Sequence, residues 1–470
     1  MNNKKYITTA IDYPNGKPHL GHVFEKVLAD TYHRWYLKNN YESFLLTGTD
    51  ENGQKLVESA RKLNLNTLDF VDKNVLNFKN LCTNLSINYS KFIRTTDQLH
   101  KDAVNEIWNI LKSKNLVYKK DYSGAYCLPC ESFKTKSQQK NDKCLIHDVE
   151  LELKEESGFF FKLSNFQESI LQYYLNNQII QPVYRQDEII NFLKNEKLED
   201  LCISRPNNFN WGIEIPDNEE FVFYTWFDAL INYYSGNKEG FSPDLQIIGK
   251  DILWFHAIIW IGILIAVDFE LPKQIYVHGF ITDKNGEKLS KTKGNYIDIE
   301  NLLSEYHSDI IRYYLLLNIP SFQDGKFSLE ELKDIYNSHF VEGIGNLYSR
   351  ILSLIEKRKI VNYGNIDESV KFKRKEIIEE IRYLFEEREH GKAILILNKK
   401  LTEINKYLTD NQPWNKKSDN YEIVLNTSLY NFKLIIELLE PVIPKISKKI
   451  IEDISEEIIK FKGHLFKRKI

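Results

Sequence analysis

The chain has little cysteine and lacks an apolar run long enough to cross a bilayer. Only 5 of its 470 residues are cysteine, which excludes a disulfide-stabilised extracellular scaffold and favours a reducing compartment. The longest apolar run, 258–267, has about half the length that a membrane-spanning helix needs. The N-terminus carries no apolar stretch of the kind that directs secretion. These absences predict a cytoplasmic protein with no membrane partner.

The chain also lacks an excess of positive charge. Its formal net charge is −3, so no general basic field indicates a nucleic-acid partner. Such a partner would have to bind local basic patches, for which 371–375 and 467–469 are candidates, although each patch alone is more typical of a solvated surface. The length, with 42% hydrophobic and 27% charged residues, is typical of a globular protein of about two to four domains.

Alternating strand and helix patterns begin the chain. The β-branched stretch 5–11 predicts a buried strand, a helical pattern covers 20–37, and a second strand pattern follows. This order opens a doubly wound parallel sheet, whose ligands bind at the carboxyl ends of the strands. The predicted fold class is therefore α/β, with a Rossmann-like domain whose site surrounds His19, His22 and Asp50.

The stretch Pro-His-Leu-Gly-His at 18–22 lies at the start of the first predicted helix. Imidazoles at a helix N-terminus, where backbone N–H groups are unpaired and the potential is positive, suit a phosphate ligand. Gly21 has no side chain and leaves room for a nucleoside against the backbone. This histidine stretch, taken alone, is equally typical of a capping histidine pair.

A second stretch, Lys-Leu-Ser-Lys-Thr at 288–292, forms what we call the lysine loop. Lys288 and Lys291 are mobile cations of the kind that neutralise charge developing on a leaving pyrophosphate. Taken alone, the lysine loop is equally typical of a solvated surface. Because it occurs together with the histidine stretch and an α/β domain, it predicts binding of a nucleoside triphosphate.

Three of the cysteines cluster with a histidine. Cys127 and Cys130 form one C-x2-C pair, and Cys144 and His147 form a C-x2-H pair. Two such pairs make a closed tetrahedral site with no open position for a substrate water, so one structural Zn²⁺ is predicted. A redox C-x2-C motif is the alternative, and the second pair disfavours it.

The strand and helix alternation breaks off near residue 116 and resumes near 215, and from about 329 only helical periodicity is present. We therefore predict an insertion within the α/β domain and a C-terminal helix bundle. The predicted parts are a Rossmann-like catalytic domain (1–115 and 215–295), a zinc-binding insertion (116–214), a linking segment with the lysine loop at its start (296–340) and an α-helical bundle (341–470).

The histidine stretch and the lysine loop resemble the two signature motifs of class I aminoacyl-tRNA synthetases. Further landmarks, in the same order along the chain, narrow the resemblance to the methionyl-tRNA synthetases. They are 13–16, 47–51, 224–229, 249–252, 255–256 and 277–279. The resemblance covers nearly the whole chain and implies that methionine is activated with ATP and Mg²⁺ to methionyl-adenylate, then transferred to the 3′-terminal adenosine of methionine tRNA.

The resemblance implies roles for particular residues. His19, Gly21, His22, Lys288 and Lys291 correspond to the ATP-binding and catalytic residues. A methionine pocket is implied at Ile11, Tyr13, Asp50, Trp226, Ala229, Tyr233, Ile252, Phe255 and His256. A thioether suits such an apolar, aromatic slot. Within it, Asp50 takes the ammonium, and His256 donates to the sulfur or to Tyr233.

Other implied roles lie outside this pocket. Arg205 is a candidate for contact with the substrate carboxylate or a phosphate. Asn346 and Arg350 share one helical face, and with Trp414, whose ring can stack on an unpaired base, they are implied to read the anticodon. Without the resemblance, a capping pair and a core tryptophan are the simpler interpretation.

The chain departs from the family pattern in a few places. Asn52 replaces a histidine that the family usually has, and Asp12 stands where the family tends to be apolar. Leu289 and Thr292 replace methionine and serine in the lysine loop. The sequence ends with the predicted bundle and lacks the appended oligonucleotide-binding barrel that makes some relatives dimers, so a monomer is expected.

Two other interpretations remain open at this point. One is a class I synthetase for another amino acid. For leucine or isoleucine the predicted insertion is too short to hold an editing domain, and cysteinyl synthetases place zinc in the substrate pocket. The other is a catalytically inactive tRNA-binding relative, which would have no need of the histidine stretch and the lysine loop.

Overall fold

The structure is a computed structural model, and it describes residues 3–128, 132–134, 139–146, 148–238, 243–287, 289, 294–360, 364–415 and 420–469. The chain begins with alternating strands and helices. Their bounds are β1 Lys4–Thr9, α1 Leu20–Lys38, β2 Glu42–Thr49, α2 Gln54–Lys62, α3 Thr67–Asn84, β3 Lys91–Arg94 and α4 Gln98–Ser113. The helix predicted over 20–37 is therefore present almost residue for residue.

The next part is built on a long antiparallel hairpin, β4 Val117–Cys127 with β8 Glu152–Phe161. Its further elements are β5 Ser132–Phe133, β6 Gln139–Lys140, β7 Lys143–Cys144, α5 Gln167–Asn176, β9 Ile180–Gln181, α6 Val183–Asn195, β10 Leu201–Cys202, β11 Ser204–Pro206, β12 Glu214–Ile215 and β13 Asn218–Phe223. β13 pairs with both β11 and β12, so this small sheet continues across the predicted boundary at 214/215.

The chain then returns to the α/β domain. The elements are α7 Thr225–Gly236, β14 Leu245–Gly249, a π-helical stretch Phe255–Trp260 leading into α8 Ile261–Ala266, β15 Ile275–His278 and β16 Ile281–Thr282. The central sheet has the order β3-β2-β1-β14-β15-β9, and all its pairs are parallel. From β1 the strand order runs outward in both directions, which opens a crevice at the carboxyl ends of β1 and β14. The predicted Rossmann-like α/β fold is confirmed.

The C-terminal region is helical. It comprises α9 Ile299–Glu305, α10 Ser308–Asn318, the short strand β17 Gly325–Lys326, α11 Leu329–Ile335, α12 Asn346–Arg358, α13 Arg374–Glu386, α14 His390–Asn411, α15 Tyr421–Leu439 and α16 Pro444–Ile454. A π-helical stretch, Tyr336–Gly345, joins α11 to α12 without a break, so the helix runs through the predicted boundary at 340/341. Within the described ranges, no helix is long and apolar enough to cross a membrane.

One buried ion pair ties this helical region to the α/β domain. The Arg312 guanidinium on α10 lies 2.7 Å from the Asp30 carboxylate on α1, and both side chains are fully buried. Arg312 also donates to the backbone oxygens of Pro441 (2.8 Å) and Val442 (3.0 Å). The apolar core is continuous from α1 into the bundle, so α1 and the bundle stabilise each other's position.

Candidate active site

A cavity of about 680 Å³ opens at the carboxyl ends of the central strands, where a doubly wound sheet binds its ligands. It collects residues that follow β1, β2, β14 and β15, together with the start of α1 and the inner face of α7. Every described residue that the sequence analysis assigned to the ATP-binding motifs or to the methionine pocket lines it. These are Ile11, Tyr13, His19, Gly21, His22, Asp50, Trp226, Ala229, Tyr233, Ile252, Phe255 and His256.

The two histidines form one surface at the N-terminus of α1. The backbone N–H of His19 donates to Nδ1 of His22 across 3.1 Å, and the two rings stack with centroids 3.7 Å apart. A Cβ at Gly21 would lie only 3.0 Å from the His19 ring, so glycine leaves this stack undisturbed. The histidine stretch therefore has a fixed shape.

This hydrogen bond also sets the protonation of His22. Because Nδ1 accepts a hydrogen bond, the neutral ring carries its hydrogen on Nε2. Burial, reinforced by the Lys26 ammonium, lowers the pKa of His22 to about 3. His22 is therefore neutral at physiological pH, and its Nε2 lies 3.9 Å from Asp12 Oδ1.

A buried ion pair that the sequence analysis missed lies beneath His22. Lys26 Nζ is 2.9 Å from Asp12 Oδ2, and the two residues are 1% and 5% exposed. Burial lowers the pKa of Lys26, but the Asp12 and Glu25 carboxylates outweigh it and raise the pKa above its usual value. The signal was present in the sequence, since Lys26 lies one helical turn after His22 and Asp12 follows the first strand.

A second unassigned pair lines the same cavity. His278 Nε2 lies 3.1 Å from Glu25 Oε2, and His278 Nδ1 lies 2.8 Å from the backbone oxygen of Gly279. Burial lowers the pKa of His278, but Glu25 more than offsets this, and the pKa is raised overall. Stretch 277–279 was identified as a landmark without a role, and only the fold brings His278 to Glu25.

The methionine side of the cavity is aromatic. Trp226 and Phe255 stack with centroids 3.7 Å apart and planes 9° apart. The Tyr233 hydroxyl lies 2.6 Å from His256 Nε2, and His256 Nδ1 lies 2.9 Å from the Ile252 backbone oxygen. A carbonyl can only accept, so Nδ1 carries the proton and Nε2 accepts from Tyr233. The contact between these residues was expected, but its direction is the reverse of the expected one.

The burial of His256 supports this assignment, because it lowers the pKa of the ring to about 4. A neutral His256 has a single N–H, and that N–H is engaged with the Ile252 carbonyl. The expected donation from His256 to the sulfur is therefore not available in this arrangement. The donor next to the pocket is the Tyr233 hydroxyl, which is itself turned toward His256.

Asp50 follows β2 and is held by its neighbours. Its backbone N–H donates to the Asp12 oxygen across 2.8 Å, and the Asn52 backbone N–H donates to Asp50 Oδ1 across 3.3 Å. The Asn52 side chain donates to Asp228 Oδ2 across 2.6 Å and to Thr95 Oγ1 across 3.2 Å. Burial raises the pKa of Asp228 well above its usual value, so the carboxyl group that Asn52 contacts is harder to ionise than a solvated one.

One described residue of the lysine loop lies at this cavity. Leu289, the member of the loop that the structure describes, is one of the lining residues, whereas Lys288 and Lys291 lie outside the described residues. Arg205 is not among the lining residues. Its guanidinium lies over the ring of Tyr224, 4.1 Å from the centroid, and Tyr224 does line the cavity.

The insertion also contributes to the cavity, which the sequence analysis did not predict. Lys134, 7% exposed, and Ile146 both line it. Of the predicted zinc ligands, Cys127 at the end of β4 and Cys144 on β7 are buried, and Cys130 and His147 lie outside the described residues. In the described part of the chain, no group of three or more His, Cys, Asp or Glu residues is placed to hold a metal ion.

The predicted anticodon residues lie in the bundle. Asn346 begins α12, and Arg350 follows one turn later on the same helix. The Arg350 guanidinium lies over the ring of Trp414, 5.2 Å from its centroid, and Trp414 is 44% exposed. The structure thus brings Arg350 and Trp414 together on one surface of the bundle.

Comparisons with known proteins agree with this geometry. Residues 5–140 and 134–352 match the family model of class I tRNA synthetases (M). The methionine–tRNA ligase of Caldanaerobacter subterraneus is 37% identical, over 96% of this chain and 73% of that protein. The methionine–tRNA ligase of Rickettsia prowazekii is 35% identical, over 97% of this chain and 93% of that protein.

Solved structures lead to the same family. The Mycobacterium tuberculosis methionyl-tRNA synthetase in complex with methionyl-adenylate superimposes with a TM-score of 0.89, at 32% identity, over 96% of this chain and 93% of that chain. These comparisons favour methionine over leucine, isoleucine or cysteine. The chain belongs to the methionine–tRNA ligases of the class I aminoacyl-tRNA synthetases, and its reaction is the ATP-dependent ligation of methionine to tRNA.

Proposed function

We propose that the cavity at the carboxyl ends of the central strands binds methionine and ATP side by side. The observation that supports this is that residues assigned separately from distant segments line one space. Asp50 takes the ammonium, assisted by the backbone at Ile11 and by Tyr13. Trp226 and Phe255 enclose the thioether, whose contacts with aromatic rings contribute roughly 0.3–1.5 kcal/mol each. Ala229, Tyr233, Ile252 and His256 complete the pocket.

In the first step the methionine carboxylate attacks the α-phosphate of ATP, which forms methionyl-adenylate and releases pyrophosphate. His19 and the neutral His22 donate to phosphate oxygens beside Gly21, where the N-terminus of α1 adds positive potential. Lys288 and Lys291 neutralise the leaving pyrophosphate, with Mg²⁺ carried by the nucleotide. The protein contributes positioning and fixed charge, which supply most of the rate in reactions of this kind.

In the second step a ribose hydroxyl of the terminal adenosine of methionine tRNA attacks the carbonyl carbon of the adenylate, and AMP leaves. We assign Arg205, which stacks on Tyr224 at the cavity wall, to the substrate carboxylate or to a phosphate. Asn346, Arg350 and Trp414 read the anticodon. A monomer, a cytoplasmic location and the four-part division of the chain remain predictions.

We further propose one structural Zn²⁺ in the insertion. Cys127 and Cys144 are 0% and 1% exposed, which suits thiolate ligands of a closed site. Cys130 and His147 complete the set. When bound, the metal would cross-link and stabilise the tip of the β4–β8 hairpin, a part of the chain with little apolar core of its own. The same tip carries Lys134 and Ile146 to the cavity.

The proposed assignment of the cavity is tested by ATP–pyrophosphate exchange. Changing His19 or His22 to Ala should slow methionine-dependent exchange by about 10²–10³, as loss of a transition-state donor does. His464→Ala is the matched control, because His464 is exposed on the C-terminal tail and contacts Ser349. Undiminished exchange in both variants would contradict the assigned roles. Faster exchange with leucine or isoleucine than with methionine would contradict the assignment of the pocket to methionine.

A further inference from the structure

Arg358, the last residue of α12, contacts the turn that carries Trp414. Its Nη2 donates to the backbone oxygens of Pro413 (3.1 Å) and Asn415 (2.8 Å). These are the two residues that flank Trp414. The guanidinium also lies over the ring of Tyr421 at the start of α15, 4.3 Å from its centroid. Arg358 therefore joins α12, the turn and α15 through one planar group.

The turn needs such support because its backbone is strained. Gln412 ends α14 in the left-handed region, with φ 44°, a conformation that costs a residue with a side chain about 1 kcal/mol or more. The Asn415 N–H donates to the Gln412 oxygen across 2.9 Å, which closes the turn around Pro413 and Trp414. Arg358 donates to the backbone oxygens on either side of the tryptophan.

We propose that Arg358 is a positioning residue for tRNA recognition, which holds the 412–415 turn so that Trp414 presents its ring beside Arg350 to an unpaired base. The inference rests on the proposed role of Trp414 in reading the anticodon. It goes beyond that role because Arg358 acts through the turn and not on the tRNA. Fixing the orientation of an exposed aromatic ring before the base arrives lowers the ordering cost of stacking and so strengthens binding.

The chemistry of the contact requires a guanidinium. Nη2 has two N–H bonds, one for each carbonyl, and the planar group can stack on Tyr421 at the same time. A lysine ammonium at this position carries the same charge but lacks the planar face. If Arg358 instead bound a tRNA phosphate directly, charge alone would be sufficient, and lysine would replace it well. The two possibilities therefore predict different results for one substitution.

The test is aminoacylation of methionine tRNA by the full-length chain carrying Arg358→Lys or Arg358→Ala. Both should raise KM for tRNA by about fivefold or more, the effect of losing hydrogen bonds to a charged donor. ATP–pyrophosphate exchange without tRNA should stay within about twofold of the unchanged chain, since that reaction does not involve the turn. Lys357→Ala, an exposed neighbour on the same helix, is the matched control and should leave both reactions unchanged.

Trp414→Ala separates this inference from the proposed function. Arg358→Ala should add little to the defect of Trp414→Ala in the double variant, because both act through one ring. Additive defects, or normal charging by Arg358→Ala beside impaired Trp414→Ala, would overturn the inference and leave the anticodon role intact. Normal charging by Trp414→Ala would overturn the anticodon role itself.

Two further measurements distinguish positioning of Trp414 from direct contact with tRNA and from a general effect on bundle stability. Two results together would assign Arg358 to a tRNA phosphate and overturn the inference. Arg358→Lys would restore normal charging, and Arg358→Ala would reduce the slope of log K against log salt concentration for tRNA binding by about one. The preference for the methionine anticodon over a tRNA with one anticodon base changed should fall in both Arg358 variants. An unchanged preference with a raised KM would mean that Arg358 supports only the stability of the bundle.

Discussion

The Tyr233 hydroxyl donates to His256 Nε2 across 2.6 Å. The Ile252 carbonyl fixes the direction of this bond, because it holds the only proton of the neutral His256 ring on Nδ1. Both side chains are 1% exposed, so neither can exchange its partner for water. The pair thus gives the methionine pocket a wall with fixed proton positions, built from α7 and the π-helical stretch before α8.

Removal of this hydroxyl should affect both stability and methionine binding. Tyr233→Phe leaves a buried ring nitrogen without its donor, which should lower the free energy of unfolding by about 1–3 kcal/mol. KM for methionine in the exchange reaction should rise about threefold to tenfold, because the loss of one hydrogen bond near a substrate changes the binding free energy by a corresponding amount. Tyr234→Phe is the control, because the Tyr234 hydroxyl lies 3.0 Å from Glu106 instead. Equal KM changes in the two variants would contradict a specific role for Tyr233.

The raised pKa of Asp228 leads to a second prediction. Asp228 is fully buried, and burial raises the pKa of its carboxyl well above the usual range. Asp228→Asn keeps an acceptor for the Asn52 side chain and should retain methionine-dependent exchange within about threefold. Asp228→Ala removes the acceptor and should reduce methionine-dependent exchange clearly more than Asp228→Asn does. If Asn and Ala reduce exchange equally, the site requires a carboxylate anion at Asp228.

The ion pair beneath His22 is suited to a double-mutant cycle. Lys26→Met leaves the buried Asp12 carboxylate without its ammonium, and Asp12→Asn leaves Lys26 with the more distant Glu25 carboxylate, 4.0 Å away. Each should lower the free energy of unfolding by about 3–5 kcal/mol. The double variant should lose much less unfolding free energy than the two single variants added together, because neither charge of the pair remains. Denaturant unfolding of the four proteins measures the coupling. Additive losses would mean that the two groups do not interact in solution.

Acid should destabilise the fold through its buried histidines. Burial lowers the pKa to about 3 for His22 and His100, and to about 4 for His256 and His390. In the unfolded chain a histidine titrates near 6.5, so below that pH the unfolded state binds more protons than the folded state. Stability is then complete above about pH 6.5 and is lost as the pH falls toward 4.

The melting temperature should therefore fall between pH 7 and pH 5. His100→Gln is an informative variant, because His100 Nδ1 contacts Ser235 (2.8 Å) and His100 is not among the residues that line the cavity. The loss of unfolding free energy between pH 7 and pH 5 should be smaller in this variant by on the order of 1–2 kcal/mol, and its melting temperature should fall less. A pH dependence identical to that of the unchanged chain would show that His100 is protonated while the protein remains folded.

Removal of zinc should loosen the insertion and leave the rest of the fold intact. The purified chain should contain one zinc per molecule, and Cys144→Ser should abolish this content because thiolate ligands dominate such sites. Chelation should expose the hairpin tip to limited proteolysis, while the helical signal of the bundle stays unchanged. Cys82→Ser is the control, since Cys82 is buried on α3 in the main core. A fully folded, protease-resistant insertion without metal would contradict the proposed site.

Local patterns predicted the regular elements well. The helix over 20–37 appears as Leu20–Lys38, because its apolar spacing and start signal are local. The edge strand β9 has only two residues, too few to show any period, and it joins the central sheet by pairing with β15. β13 is local in pattern, but its partner β11 lies on the other side of a predicted boundary, and its partner β12 spans that boundary.

The sequence by itself determined the family, the order of the motifs and the residue types that line the cavity, because signature stretches and hydrophobic periods are local properties of a chain. Only the tertiary structure decided the proton positions. His22 is neutral because the fold buries it beside the Lys26 ammonium, Asn52 contacts Asp228 across 176 residues, and Arg358 contacts the Trp414 turn across more than fifty. Protonation and positioning depend on burial and on partners from distant segments, and no local pattern contains that information.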